Sequence, residues 1–211
     1  MSRGSPTDLL VLHGVRILGF AEAPAVARRF GLDPAETAEV LLDAQARGWV
    51  SHAAFAGLGG WSLTPAGRVA GERLLAAELA DAGAADEVRD VHRAFLPLNG
   101  RLQRACTDWQ LRPVAGDPLA ANDHADAAWD GRVLTELAEV RAGLAPLAVR
   151  LEARLTRFTG YDARFAAALR RAAAGDAGWV DRTDVDSCHR VWFELHEDLI
   201  ATLGLDRAAE P

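Results

Sequence analysis

The feature that most constrains this chain is a set of apolar stripes at three- and four-residue steps. Val88, Val91, Phe95, Leu98, Leu102, Cys106 and Trp109 form one, and Leu137, Val140, Leu144, Leu147, Leu151 and Phe158 form a second. That spacing is one face of an α-helix, so each stripe predicts a long helix that must bury one side. Tyr161, Phe165 and Leu169 make a shorter third stripe, and Val185, Cys188, Trp192, Leu195 and Leu199 a fourth. Pro97 and Pro146 interrupt the first two and predict a kink or a break in each. Residues 86–205 are therefore expected to form an all-helical bundle domain of four or five helices. The run Leu137, Val140, Leu144 and Leu147 is long enough to serve an interface as well as a core, which predicts a homodimer.

Residues 1–80 read differently. Leu9, Leu12, Ile17 and Phe20 seed a first helix. Pro24 opens a second that runs through Phe30 and stops at Gly31. Asp33 is a good N-cap, Pro34 suits the first helical position, and Glu36 sits where a capping-box acid would. A third helix is expected over about 33–47, with Val40, Leu41, Leu42 and Ala44 on its buried side and Gly48 closing it. Residues 49–52 and 61–63 read as two strands around a turn at 56–60. Thr64 then caps a helix that runs to about Leu79. Small residues and Gly83 place a hinge or linker near 80–86. The fold class expected is mainly α: an N-terminal winged helix-turn-helix with a small β-hairpin wing, then the bundle.

Composition bounds the function. The chain has 211 residues, a net charge of −7 and no lysine, so all 23 basic side chains are arginine. Alanine, with 43 copies, adds helix propensity. Residues 1–75 carry seven arginines against seven acids, so the remainder holds the whole negative excess. No apolar run reaches the ~18 residues of a membrane span, and the N-terminus lacks a signal-peptide core, so a cytoplasmic chain with no membrane partner is expected. Cys106 and Cys188 make no disulfide framework or zinc spacing. With no Gly-rich phosphate loop, nucleophile elbow or CxxC pair, no catalytic residue, cofactor or metal is assigned.

Three segments are unusual for a bundle: residues 106–110, 122–126 and 187–198. On a helix, His189, Phe193, His196 and Ile200 share one stripe. The two histidines lie about 10.5 Å apart at 1.5 Å per residue, too far to ligate one metal directly. Asp108, Trp109, His124, His189, Trp192 and His196 are expected to converge on one cavity suited to a small organic ligand. Those histidines and their neighbouring acids also leave a weaker enzyme reading open. The plainer alternative makes Asn122-Asp123-His124 a helix cap. It makes Arg190, Glu194, Glu197 and Asp198 a solvated face with an Arg190–Glu194 pair.

Val26-Ala27-Arg28-Arg29-Phe30-Gly31-Leu32, Val40-Leu41-Leu42 with Gly48-Trp49-Val50, and Leu63-Thr64-Pro65-Ala66-Gly67-Arg68 resemble the winged-helix domain of the multiple-antibiotic-resistance regulator (MarR) family. The resemblance covers residues 8–75. It implies a transcriptional regulator whose third helix enters the major groove of double-stranded DNA. It makes Arg28, Arg29, Arg47 and Arg68 phosphate contacts, and brings Thr37 and Gln45 within reach of polar groups on the DNA. The third helix departs from that role in charge, with Asp33, Glu36, Glu39 and Asp43 against Arg47 alone, and no arginine lies at the wing tip, 53–60.

Phe95-Leu96-Pro97-Leu98-Asn99, Trp109-Gln110, Asn122-Asp123-His124 and the run 191–199 resemble a C-terminal region of short actinobacterial pyruvate-phosphate-dikinase-type enzymes. That implies an alternative function: a protein-binding accessory module related to phosphoenolpyruvate-using enzymes, with a winged helix that does not touch DNA. The leading expectation is the regulator, with a helical half that dimerises and takes a small organic effector.

Overall fold

A computed structural model describes residues 2–55 and 57–206; Met1, Ala56 of the expected turn and wing tip, and residues 207–211 lie outside the described residues. Among the described residues the chain is mainly helical, with eight α-helices and one two-stranded antiparallel sheet. No helix is long and apolar enough to cross a membrane. Contacts group the chain into two compact units. The first holds residues 1–88, 152–157 and 196–211, and the second holds 89–151 and 158–195. A boundary drawn along the sequence at 80–86 therefore differs from this grouping, because two later segments belong with the first unit.

In the first unit, α1 (Thr7–Leu18) is followed by α2 (Ala23–Phe30) and α3 (Pro34–Ala46). Gly31 turns the chain left-handed after α2, and the Asp33 carboxylate accepts hydrogen bonds from the Ala35 and Glu36 amides at 2.9 Å. Strands β1 (Val50–Phe55) and β2 (Leu58–Leu63) pair from Val50↔Leu63 to Phe55↔Leu58. The ladder is longer than the sequence suggests, and Gly59 and Gly60 lie in β2 rather than in a turn. Their missing side chains make room: a Cβ on Gly60 would come 2.8 Å from the Phe20 ring, and one on Gly59 would meet the Glu22 carboxylate. Ala21 and Trp61 exchange backbone hydrogen bonds at 2.9 and 3.2 Å, which adds the segment before α2 to the hairpin edge.

Helix α4 (Pro65–Asp81) starts at Thr64, whose hydroxyl accepts from the Gly67 amide at 3.0 Å and donates to the Gly48 carbonyl at 2.6 Å. Backbone meets backbone here, since a Cβ on Gly67 would fall 1.8 Å from the Trp49 carbonyl oxygen. Val11, Leu12, Val15, Val26, Leu41, Val50 and Trp61 form the core beneath these elements. Leu42 does not join it; the residue is 58% exposed, one helical step round from the buried Leu41. The expected linker is a short turn around Gly83, after which α5 (Ala85–Gln110) begins.

Helices α5 and α6 (Ala127–Glu152) run 26 residues each, uninterrupted at Pro97 and Pro146. The expected breaks are absent for a local reason. Both prolines are exposed, as are Arg93 and Ala142 four residues before them, so water can take the carbonyl each proline releases. Leu98 packs so closely on α6 that a Cβ on Gly143 would sit 2.9 Å from it. Phe158 leaves the second stripe and ends a short 3-10 turn, Thr156–Phe158. Helix α7 (Tyr161–Ala173) buries Tyr161 and Phe165, and α8 (Cys188–Leu203) buries Trp192, Leu195 and Leu199. Within the second unit Trp192 stacks on Phe95 at 4.6 Å and meets Phe165 edge-on at 5.9 Å. Leu137, Val140, Leu144 and Leu147 are all buried inside the chain, so that stripe is spent on the core.

Candidate functional site

The six positions singled out for DNA divide into two sets. Arg28, Gln45, Arg47 and Arg68 are exposed. Arg47 lies over the Trp49 ring at 5.0 Å, and Arg28 sits in the last turn of α2. Thr37 is a correction: it is fully buried, and its hydroxyl donates to the Asp33 carbonyl at 2.8 Å, so it presents nothing to a groove. Arg29 points inward as well. Its Nε and Nη2 atoms are sealed from solvent, and its charge acts on His13 and Asp198. The outward side of α3 carries Glu36, Glu39, Leu42 and Asp43.

Sequence reasoning missed a buried polar cluster in the first unit. Arg157, from the 3-10 turn, donates to Glu78 of α4 at 2.8 Å, to Thr202 of α8 at 2.7 Å, and to Asp198 of α8. Ser5 donates to the other Glu78 oxygen, and His13 of α1 places Nε2 3.0 Å from Asp198. Burial would raise the Asp198 carboxyl, but Arg157, the His13 hydrogen bond and Arg29 outweigh it and hold the group well below the usual carboxylate range. Burial also lowers His13, which Asp198 opposes and Arg157 and Arg29 reinforce. At the rim, Arg16 bridges Glu72 and Glu197, both at 2.9 Å. Asp198 is thus no part of a solvated face. Glu194 is not either: it is buried in the second unit between Arg164 at 2.7 Å and Arg190 at 3.3 Å, the latter being the expected i,i+4 pair.

Of the six residues expected to share one ligand cavity, the structure brings Trp109 and His124 together. In the second unit Trp109 is buried with its ring 4.6 Å from that of His124. His124 has left-handed backbone (φ 58°), and its Nδ1 lies 2.9 Å from Asp130. Asn122 donates to Asp130 and to the Trp109 carbonyl, so these residues brace a loop, while Asp126 caps α6 through the Ala128 and Trp129 amides. Trp192 lies in the aromatic stack, with Nε1 donating to Asn99 at 3.0 Å. His189 opens α8, and its amide donates to Val180. His196 is buried in the first unit. Cys106 and Cys188 are buried, and burial pushes both thiols up to about 12, which keeps them unreactive.

Asp108 lines a cleft of about 350 Å³ between α5 and α6 of the second unit. Trp129 forms one wall; its indole Nε1 donates to the Asp108 carbonyl at 2.6 Å, and the Arg132 guanidinium lies 4.9 Å over its ring. Opposite, Arg101 grips Glu136 with two hydrogen bonds of 2.6 and 2.9 Å and reaches Glu139 at 2.6 Å. The Arg101 hydrogen bond holds the Glu136 carboxyl below its ordinary range. Arg104 completes the rim above Ala105 and Val133. Sequence reasoning missed these arginines; the signal that could have found them is Arg101 and Arg104, three positions apart on one helix.

No family model matches the chain, and no curated protein or solved structure matches it either.

Proposed function

We propose that this chain is a winged-helix DNA-binding transcriptional regulator. The supporting observation is the order and pairing of the first unit. Helix α2, a left-handed glycine turn and α3 are followed by an antiparallel hairpin whose edge pairs with the segment before α2. In this reading α3 is the reading helix, β1–β2 is the wing, and Arg28, Arg47 and Arg68 are the phosphate contacts, with Gln45 exposed beside Arg47. The carboxylates on α3 make nonspecific binding weak, so discrimination rests on few contacts. Two-fold pairing, as DNA half-sites require, and a small organic effector on the helical unit belong to the same reading.

The test is DNA from upstream of the chain's own coding sequence, titrated at several salt concentrations. Arg28→Ala with Arg68→Ala should flatten the plot of log affinity against log salt by about two units, at roughly 0.9 per lost phosphate contact. Absence of DNA binding at low salt sinks the reading. The second reading, a protein-binding accessory module, is favoured by Leu42, a 58% exposed leucine among Glu39, Asp43 and Glu36. An acidic rim around an exposed apolar residue suits a basic protein surface better than a phosphate backbone.

A further inference from the structure

We propose that the cleft between α5 and α6 binds a small phosphate monoester, an organic molecule that carries one phosphoryl group on a compact apolar body. The charge within the cleft carries the argument. Its lining holds Arg101, Arg104 and Arg132 against Asp108 and Glu136, a local positive excess in a chain of net charge −7. The three guanidiniums are not equivalent. Arg101 is consumed by Glu136 and Glu139. Arg104 and Arg132 form no carboxylate ion pair among the described residues, while stacking on Trp129 and a 3.2 Å bond to the Ala128 carbonyl hold Arg132 in place.

Two guanidiniums left over from ion pairing match a group carrying close to two negative charges with several acceptor oxygens. A phosphoryl monoester is such a group, and guanidinium forks bind it through paired charge-assisted hydrogen bonds. The rest of the lining asks for a body as well as a charge. Ala105 and Val133 are buried apolar residues, and Trp129 offers an indole edge. A volume of about 350 Å³ lies at the small end of ligand pockets, which limits that body to roughly one ring. Glu136 holds Arg101 to one side and sets a repulsive charge beside the anion, which selects against anions that do not engage both free arginines.

This inference names the effector class and site within the regulator reading, on which it rests only for its biological role. Binding is measured without DNA, so the two fail separately: a failed titration beside intact DNA binding removes the cleft alone, and the reverse removes the regulator alone. The probe is phenyl phosphate, titrated calorimetrically into the full chain, with amide and indole NMR to locate it. Saturable submillimolar binding is expected, with the Trp129 indole N–H signal shifted through its bond to Asp108. Inorganic phosphate should bind about tenfold more weakly and phenol not measurably. Arg104→Ala and Arg132→Ala should each weaken binding about tenfold or more. Glu136→Gln should tighten it several-fold, a change of sign that general damage to the fold does not produce. The proposal is overturned by an absence of saturation, by phenol or inorganic phosphate matching phenyl phosphate, or by arginine variants that bind like the wild type.

Discussion

Both units hold arginine between two carboxylates, and they use it in opposite ways. In the first, Arg157 and Asp198 have fully buried side chains and Glu78 is 3% exposed, so every charge has left water and depends on its partners. In the second, Arg101 is 33% exposed and Glu139 62%, so water competes for each bond. The same pair chemistry is structural where it is sealed and exchangeable where it is wet. A sealed charge cannot be released without an unpaired ion left behind, whereas a wet one can exchange its partner for water. This contrast separates the sealed cluster of the first unit from the open cleft proposed as a binding site.

The contrast is sharpest for the arginines themselves. Arg157→Met should cost about 3–5 kcal/mol, because Glu78 and Asp198 remain buried without their cation. Arg101→Met should leave the urea midpoint almost unchanged. Equal losses for the two in chemical denaturation would break the comparison.

A second pair of variants tests backbone crowding. Gly67→Ala forces a methyl into the Trp49 carbonyl and should cost about 2–3 kcal/mol. Gly131 of α6 has open space where a Cβ would go, so Gly131→Ala should stabilise by roughly 0.5–1 kcal/mol through helix propensity. Thermal melts that move in the same direction for both would refute this account.

A third test is one of pH. His13 is lowered in the fold, so below an unfolded value of about 6.5 the unfolded chain binds more protons than the native one. Stability should therefore fall as pH drops from 7 towards 5, by at most about 1.4 kcal/mol per pH unit for the one proton. Asp198 is depressed as well, so its contribution is present above about 3.9 and is lost as pH falls further. His13→Gln keeps a donor towards Asp198 and removes the upper titration. A stability curve between pH 5 and 7 that is as steep in this variant as in wild type assigns the effect elsewhere.

Local signals were legible. Asp33 and Thr64 were readable as caps, Gly31 as a stop, and the stripes as helices, because each depends on residues within one or two turns. The mainly helical class and the small antiparallel hairpin followed from these. Long-range terms were not legible. Asp198 sits among Glu194 and Glu197 and looks solvated until Arg157, 41 residues earlier, is placed beside it. Thr37 looks like a polar helix residue until Asp33 takes its hydroxyl and the core closes over it. Pro97 and Pro146 were overruled by exposure, a property of the packed helix and not of the residue. The cleft was half visible: Asp108 was singled out, but Arg101, Arg104 and Arg132 were not.

Arg16 meets Glu197 across 181 residues of sequence. During synthesis, therefore, α1 to α4 leave the ribosome long before the strand of chain that neutralises them. Glu78 waits for residue 157, and His13 for residue 198. In that interval the hairpin and its three helices can assemble around Leu41 and Trp61, but their polar floor stays open to water. Closing it is a late, long-loop event with a slow step's entropy. A nascent chain stalled before α8 would thus display the hairpin and α3 on a unit that has not yet locked.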